Sequence, residues 1–187
     1  MDNEIITFKI SRSFKDNIIK FAKVVYSNFI NIKDDDIFNH TPSTVVELLQ
    51  SDKLIAILGY NKDGKVISYL LGEKETLADG RYVFFIIYLY VSKKYRNNKI
   101  GSELLRRLHN YLLFEVGGIR YIMVLTDKRS QSVIYFYWRN NFKKDYMHDE
   151  SCRIDNEVYC KMNKKIGMYQ YFLEWKDDRF ILLSKQI

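Results

Sequence analysis

The stretch that most constrains this chain runs from Tyr82 to Leu105 and reads YVFFIIYLYVSKKYRNNKIGSELL. Its first ten residues, Tyr82 to Val91, carry no charge and apart from Leu89 are all aromatic or β-branched. That composition predicts a central strand buried on both faces, because an edge or half-solvated strand would alternate apolar with polar residues. The strand ends at Ser92-Lys93-Lys94, and beyond the turn Ile100, Leu104, Leu105, Leu108 and Leu112 recur at helical spacing, with Glu103, Arg106, Arg107 and Asn110 on the other side. This predicts an amphipathic helix to about Phe114 or beyond. A strand, a short turn and a helix together form an anion-binding geometry, since the first helical N–H groups lack intrahelical partners and the helix dipole is positive there. Lys93, Lys94, Arg96 and Lys99 add positive charge. An ordinary strand-to-helix connection with solvated lysines fits this stretch equally well.

Within it, Arg96-Asn97-Asn98-Lys99-Ile100-Gly101 resembles the R/Q-x-x-G-x-G/A motif of the GNAT superfamily of acyl-CoA N-acyltransferases. Downstream, Ser130-Gln131-Ser132-Val133-Ile134-Tyr135-Phe136-Tyr137-Trp138-Arg139-Asn140-Asn141-Phe142 is similar to that family's N-x-x-A-x-x-F-Y-x-x-x-G-F segment, in the usual order and at the usual distance. Three positions depart from the pattern: Lys99 stands for the first glycine, Ser130 for asparagine, and Asn141 for the glycine before the last Phe. Asn141 is the mild departure, because Asn tolerates the left-handed backbone that ends many helices.

The rest of the chain is consistent with one domain. At 187 residues it is long enough to bury a core, and no linker-like or repetitive segment divides it. Ile5 to Ile10 predicts a strand. Ser13-Phe14-Lys15-Asp16 resembles a capping box opening a helix, with Phe14, Ile18, Phe21, Ala22, Val25 and Phe29 as its apolar stripe. After the polar connection Asn31 to Asp36, Thr41-Pro42 starts a second helix whose core side carries Val45, Leu48 and Leu49. Lys53 to Tyr60 and Lys65 to Leu71 predict strands joined by the hairpin turn Asn61-Lys62-Asp63-Gly64, and Ala78-Asp79-Gly80 marks the turn into the central strand. Tyr121 to Thr126 predicts a strand, Asp127 to Asn140 a short helix, and Phe142 to about Lys164 two more strands. The fold class expected is mixed α/β: the resemblance implies a central, mostly antiparallel twisted sheet, splayed at strands 4 and 5, with helices on both faces. It covers about Ile5 to Lys164, so residues 1–165 are taken as the acetyltransferase-like domain. Residues 166–187, a tail with many aromatics, are taken as an extension packed on that domain or on a second subunit, either as a hairpin or as a helix and a strand.

The formal charge of +7 suits a nucleic acid, a membrane surface or a polyanionic cosubstrate. The aromatics, however, lie within apolar strands instead of alternating with exposed basic residues, which argues against a nucleic-acid partner. No apolar run reaches the roughly 18 residues of a membrane span, and the N-terminus lacks a secretory pattern. A soluble, cytoplasmic protein is expected. Cys152 and Cys160 form no metal-ligand pattern with the three histidines, so no metal is expected.

The resemblance implies direct transfer of an acetyl group from acetyl-CoA, the cosubstrate, to a primary amine on a small molecule or protein; a homodimer is compatible with it. It places the thioester carbonyl on backbone N–H groups around Leu89, Tyr90 and Val91. The pyrophosphate falls on Arg96, Asn97, Asn98, Lys99, Ile100, Gly101 and Ser102, with Ser130 also at the cofactor, and Tyr137 is the acid that protonates the departing thiolate. The bases used by some members, a strand glutamate or a Tyr and His pair, align here with Phe85 and Leu125, leaving water or the strand carboxylates Glu73 and Glu75. Asp34, Asp35 and Asp36 fall in the connection that lines the acceptor site in the family and would favour a cationic amine, a polyamine or a lysine side chain. The alternative is a GNAT-like module that holds acyl-CoA or a protein without turnover.

Overall fold

The computed structural model describes residues 6–12, 14, 17–29, 40–76, 82–144 and 180–187. Among the described residues seven strands and four α-helices follow in the order β1 (Thr7–Ser11), α1 (Ile18–Asn28), α2 (Pro42–Gln50), β2 (Leu54–Tyr60), β3 (Val66–Thr76), β4 (Tyr82–Val91), α3 (Ile100–Tyr111), β5 (Ile119–Asp127), α4 (Gln131–Arg139), β6 (Lys143–Lys144) and β7 (Phe180–Gln186). The strands hydrogen-bond in the order β1-β2-β3-β4-β5-β7-β6. The chain divides into two compact units, Met1–Glu73 with Tyr88–Leu104, and Lys74–Ile87 with Leu105–Ile187.

In the first unit β1 and β3 flank β2, both antiparallel to it. Asn61 closes the β2–β3 hairpin by donating its N–H to the Lys65 carbonyl at 3.0 Å and accepting the Lys65 N–H on Oδ1 at 2.8 Å. The helix α2 starts as the sequence predicts: Thr41 is the N-cap, its hydroxyl accepts from the Thr44 N–H, Pro42 is the first helical residue, and Val45, Leu48 and Leu49 are buried. The start of α1 differs from the sequence expectation. The helix opens at Ile18 after Asn17 at φ 61°, and Ser13 and Asp16 of the expected capping box lie outside the described residues. Phe14 still joins the apolar stripe, stacking on Phe21 with ring centroids 5.1 Å apart.

The second unit contains a parallel pairing, β4 with β5, from Tyr82 opposite Ile119 to Ile86 opposite Val124, with a register shift between Tyr82 and Val83. The other edge of β5 pairs antiparallel with β7 from Tyr121 to Asp127. The strand beside β5 is therefore supplied by the tail, at Phe180–Gln186, where Leu182 and Leu183 are buried. The expected strands before Lys164 lie, beyond β6, outside the described residues, as do Cys152 and Cys160. The helix α4 ends in a left-handed cap: Asn141 has φ 67°, its N–H reaches the Trp138 carbonyl at 3.0 Å, and the Phe142 N–H reaches the Tyr137 carbonyl at 3.1 Å. Among the described residues no helix is long and apolar enough to cross a membrane.

Candidate active site

The site is built from the end of β4. The strand is a central one, with Val83 to Ile86 and Tyr88 buried, yet its pairing with β5 stops at Ile86 while the strand runs on to Val91. The last five residues, including Leu89, Tyr90 and Val91, thus lie beyond the β5 ladder and are half-buried from Leu89 on.

After Val91 the chain is anchored before it turns. The Ser92 N–H donates to the Ile67 carbonyl at 2.9 Å, a 3-10 turn covers Lys93–Tyr95, and Tyr95 and Ile100 are buried together with Ile67. These two anchors hold an exposed bridge between them, Arg96 to Lys99. The Arg96 Nε donates to the Val91 carbonyl at 3.0 Å, and the Asn98 side-chain amide donates to the Tyr95 carbonyl at 3.4 Å. Asn97 and Lys99 have φ of 65° and 58°. Lys99 therefore occupies, with a side chain, the left-handed backbone that glycine would supply without strain. Its carbonyl accepts the Glu103 N–H at 2.9 Å, the first i→i−4 bond of α3, so the N–H groups of Ile100, Gly101 and Ser102 have no intrahelical acceptor. The result is an open helix start beside the exposed cations Lys93, Lys94, Arg96 and Lys99. Those N–H groups and cations suit a diphosphate.

The second motif lies in the other unit. The bonds made by Asp127 shape the turn into α4: its carboxylate accepts the Arg129 N–H at 2.8 Å and the Arg129 guanidinium at 2.5 Å, and its carbonyl accepts the Ser130 N–H at 2.9 Å. Ser130 is the N-cap, but its side chain makes no capping bond. Tyr137 is only 4% exposed and stands edge-on between Phe136 and Phe142, each centroid 5.1 Å away. Burial pushes its phenol well above the ordinary range, so the group holds its proton.

Asp34, Asp35 and Asp36 lie outside the described residues. Phe85, aligned with the family's strand glutamate, is buried, and Glu73 and Glu75 are half-buried on β3.

Sequence reasoning missed His40. This residue precedes the α2 N-cap and is 2% exposed. Its Nδ1 lies 2.7 Å from the Tyr88 hydroxyl and its Nε2 lies 3.2 Å from the Tyr26 carbonyl. The ring stacks on Tyr26, with centroids 5.0 Å apart, and meets Phe29 edge-on. A carbonyl can only accept, so Nε2 carries the hydrogen; in the neutral ring Nδ1 then accepts from the Tyr88 hydroxyl. Burial lowers the imidazole's affinity for a second proton, against a smaller opposing effect of the Tyr26 carbonyl. Around this pair Tyr69 stacks on Tyr90 at 5.2 Å and Phe29 packs against Tyr88 at 5.0 Å. No sequence motif marks His40. The one signal was a polar residue immediately before a well-capped helix, and many solvated histidines share it.

Comparison with known proteins agrees with this geometry. No curated protein sequence matches the chain. The family model described as Acetyltransferase (GNAT) family matches residues 18–142, more than half of the chain. An acetyltransferase of the GNAT family from Listeria monocytogenes aligns with TM-score 0.63 and 9% identity over 96% of this chain and 95% of its own. One from Staphylococcus aureus aligns with TM-score 0.60 and 19% identity over 96% and 99%. Arabidopsis thaliana NAA60, solved in complex with acetyl-CoA, aligns with TM-score 0.59 and 12% identity over 75% and 86%. At these identities the structures speak for the fold, and the family model for descent: the chain belongs to the GNAT acetyltransferase family.

Proposed function

We propose that the protein transfers an acetyl group directly from acetyl-CoA to a primary amine. The observation that carries this is the early end of the β4–β5 ladder at Ile86 and Val124, followed on the same strand by the open start of α3. Family membership and the acetyl-CoA bound to the similar Arabidopsis protein support the cosubstrate. In this reading the N–H groups of Ile100, Gly101 and Ser102, with Arg96 and Lys99, hold the diphosphate. Backbone N–H groups near Leu89 to Val91 polarise the thioester carbonyl, and Asn97, Asn98 and Ser130 complete the cofactor contacts. The amine attacks the carbonyl carbon, the C–S bond breaks, and Tyr137 donates its proton to the leaving thiolate. Burial keeps the phenol in the protonated form a general acid needs, and at the same time makes it a weaker acid than a solvated tyrosine.

The acceptor is proposed to be cationic, a polyamine or a lysine side chain, on the strength of Asp34-Asp35-Asp36 in an otherwise basic chain. A lysine-like amine is only about 0.1 per cent neutral near pH 7.4, equivalent to roughly 4 kcal/mol, so a proton acceptor is needed. A thiol-release assay with acetyl-CoA and a panel of amines tests the proposal. Saturable CoA release that depends on an amine supports it. Binding of acetyl-CoA without release for any amine would identify a binding module instead.

A further inference from the structure

We infer that Tyr88 and His40 form a proton relay for the acceptor amine, with Tyr88 as the catalytic residue that touches the nitrogen and His40 as the group that takes the proton behind it. This rests on the acetyl-transfer reading above, and three observations carry it. First, Tyr88 lies on β4 two residues past Ile86, the last residue paired with β5, and directly before Leu89, where the thioester carbonyl is placed. Second, the hydrogen bonds have one direction only. The Tyr26 carbonyl fixes the hydrogen on Nε2, so Nδ1 is the acceptor for the Tyr88 hydroxyl at 2.7 Å. Third, the pair is graded in exposure: His40 is 2% exposed and Tyr88 8%. In this relay the phenol, on the strand that carries the thioester, is the member that meets the substrate.

Among the described residues the elements packed on His40 are α1, through the Tyr26 ring and carbonyl and the Phe29 ring, and β4, through Tyr88. The titratable groups among them are the two phenols, and among the described residues no carboxylate or cation enters the imidazole's titration. The ring is consequently neutral and able to accept at neutral pH.

The neutral amine forms the N–C bond to the acetyl carbon, and its nitrogen becomes cationic and far more acidic than the free ammonium. As the C–S bond breaks and the sulfur leaves with the electron pair, that nitrogen gives a proton to Tyr88 Oη. The proton already on Oη moves to His40 Nδ1. The products are the amide, the CoA thiol carrying the proton from Tyr137, a neutral Tyr88 and an imidazolium whose Nε2–H still donates to Tyr26; Tyr137 is reprotonated from solvent. The proton returns to solvent after release.

The test uses the full chain and the variants Tyr88→Phe and His40→Asn. Asn keeps an acceptor near the Nδ1 position but cannot take the proton. The relay predicts that kcat/KM falls at least tenfold in each variant and that the pair together loses no more than either alone. It also predicts that the rise of wild-type kcat/KM with pH through the His40 titration disappears in His40→Asn, while acetyl-CoA affinity is kept. A measurement without substrate stands beside it: the imidazole 15N shifts of His40, identified by their loss in His40→Asn, must report an unprotonated Nδ1 and a protonated Nε2 at pH 7.5. The opposite tautomer overturns the relay whatever the kinetics. A wild type that transfers acetyl groups, with a Tyr88→Phe variant that keeps both rate and pH dependence, overturns the relay alone. A wild type that binds acetyl-CoA and acetylates no amine overturns the relay together with the transfer reading.

Discussion

The carbonyl of Lys99 accepts the N–H of Glu103 at 2.9 Å while Lys99 itself sits at φ 58°, so the first bond of α3 is made by a lysine in a left-handed backbone. A non-glycine residue pays about 1 kcal/mol or more for that conformation. Glycine there would remove the strain but give freedom back to the unfolded chain. Lys99→Gly is expected to gain a few tenths of a kcal/mol, a rise of roughly 1 °C in Tm. It should weaken acetyl-CoA binding at low salt by removing a cation beside the diphosphate. Thermal melts and titrations at two salt concentrations check both; a clear destabilisation would show that the lysine side chain has a stabilising contact outweighing the strain.

Ser68, on β3, is fully buried, and its hydroxyl has no hydrogen-bond partner among the described residues. A buried unpaired hydroxyl costs about 1–3 kcal/mol. Ser68→Ala is therefore expected to leave stability unchanged or raise it by about 1 kcal/mol. The position also explains Gly59, because a Cβ there would fall 2.2 Å from Ser68 Oγ. Gly59→Ala is expected to destabilise in chemical denaturation, and less so in a Ser68→Gly background. An unchanged midpoint for Gly59→Ala alone would contradict this packing.

Stability should fall on acidification. Burial lowers the pKa of His40 from its ordinary 6.5, and burial followed by the charge of Lys185 lowers that of His109. The unfolded chain then takes up protons that the folded one refuses. The contribution is complete above about pH 6.5 and is lost as pH falls towards the folded values. Melting temperature is predicted to drop between pH 7 and pH 5, and the double variant His40→Asn, His109→Gln to show a shallower slope. A slope as steep in the double variant would assign the acid loss to other groups.

Tyr137→Phe keeps the ring between Phe136 and Phe142 and removes only the hydroxyl. The expected outcome is an unchanged fold, near-normal acetyl-CoA affinity and a kcat at least tenfold lower, within the 10²- to 10⁴-fold range typical of general acids. Steady-state kinetics with the best amine of the panel decide it. A wild-type kcat would mean that the thiolate leaves unaided or is protonated elsewhere.

The parts legible in the sequence are those whose signal is local. The apolar run from Tyr82 to Val91, the Thr41-Pro42 cap and the Asn61 to Gly64 turn each specify their own backbone, and all three stand where the pattern places them. The left-handed cap at Asn141 was legible for the same reason, since Asn in place of glycine points to one backbone conformation. The opening of α1 was not: Ser13 and Asp16 have the spacing of a capping box, but the helix starts after Asn17, whose left-handed φ no pattern requires. Nor was β7 assignable. FILLSKQ is apolar enough for a strand, but its partner, β5, lies more than fifty residues away, and local pattern carries no information on pairing. The His40–Tyr88 contact spans 48 residues and was hidden for the same reason.

The central claim is that the turn from Arg96 to Ser102 binds the diphosphate of acetyl-CoA, and titration calorimetry with acetyl-CoA tests it most directly. The account predicts saturable binding with one site per chain, weaker at higher salt, and abolished in Gly101→Glu, which sets bulk and negative charge against the diphosphate while the melt without ligand stays close to wild type. Absence of binding at millimolar acetyl-CoA, or equal affinity in Gly101→Glu, would contradict it.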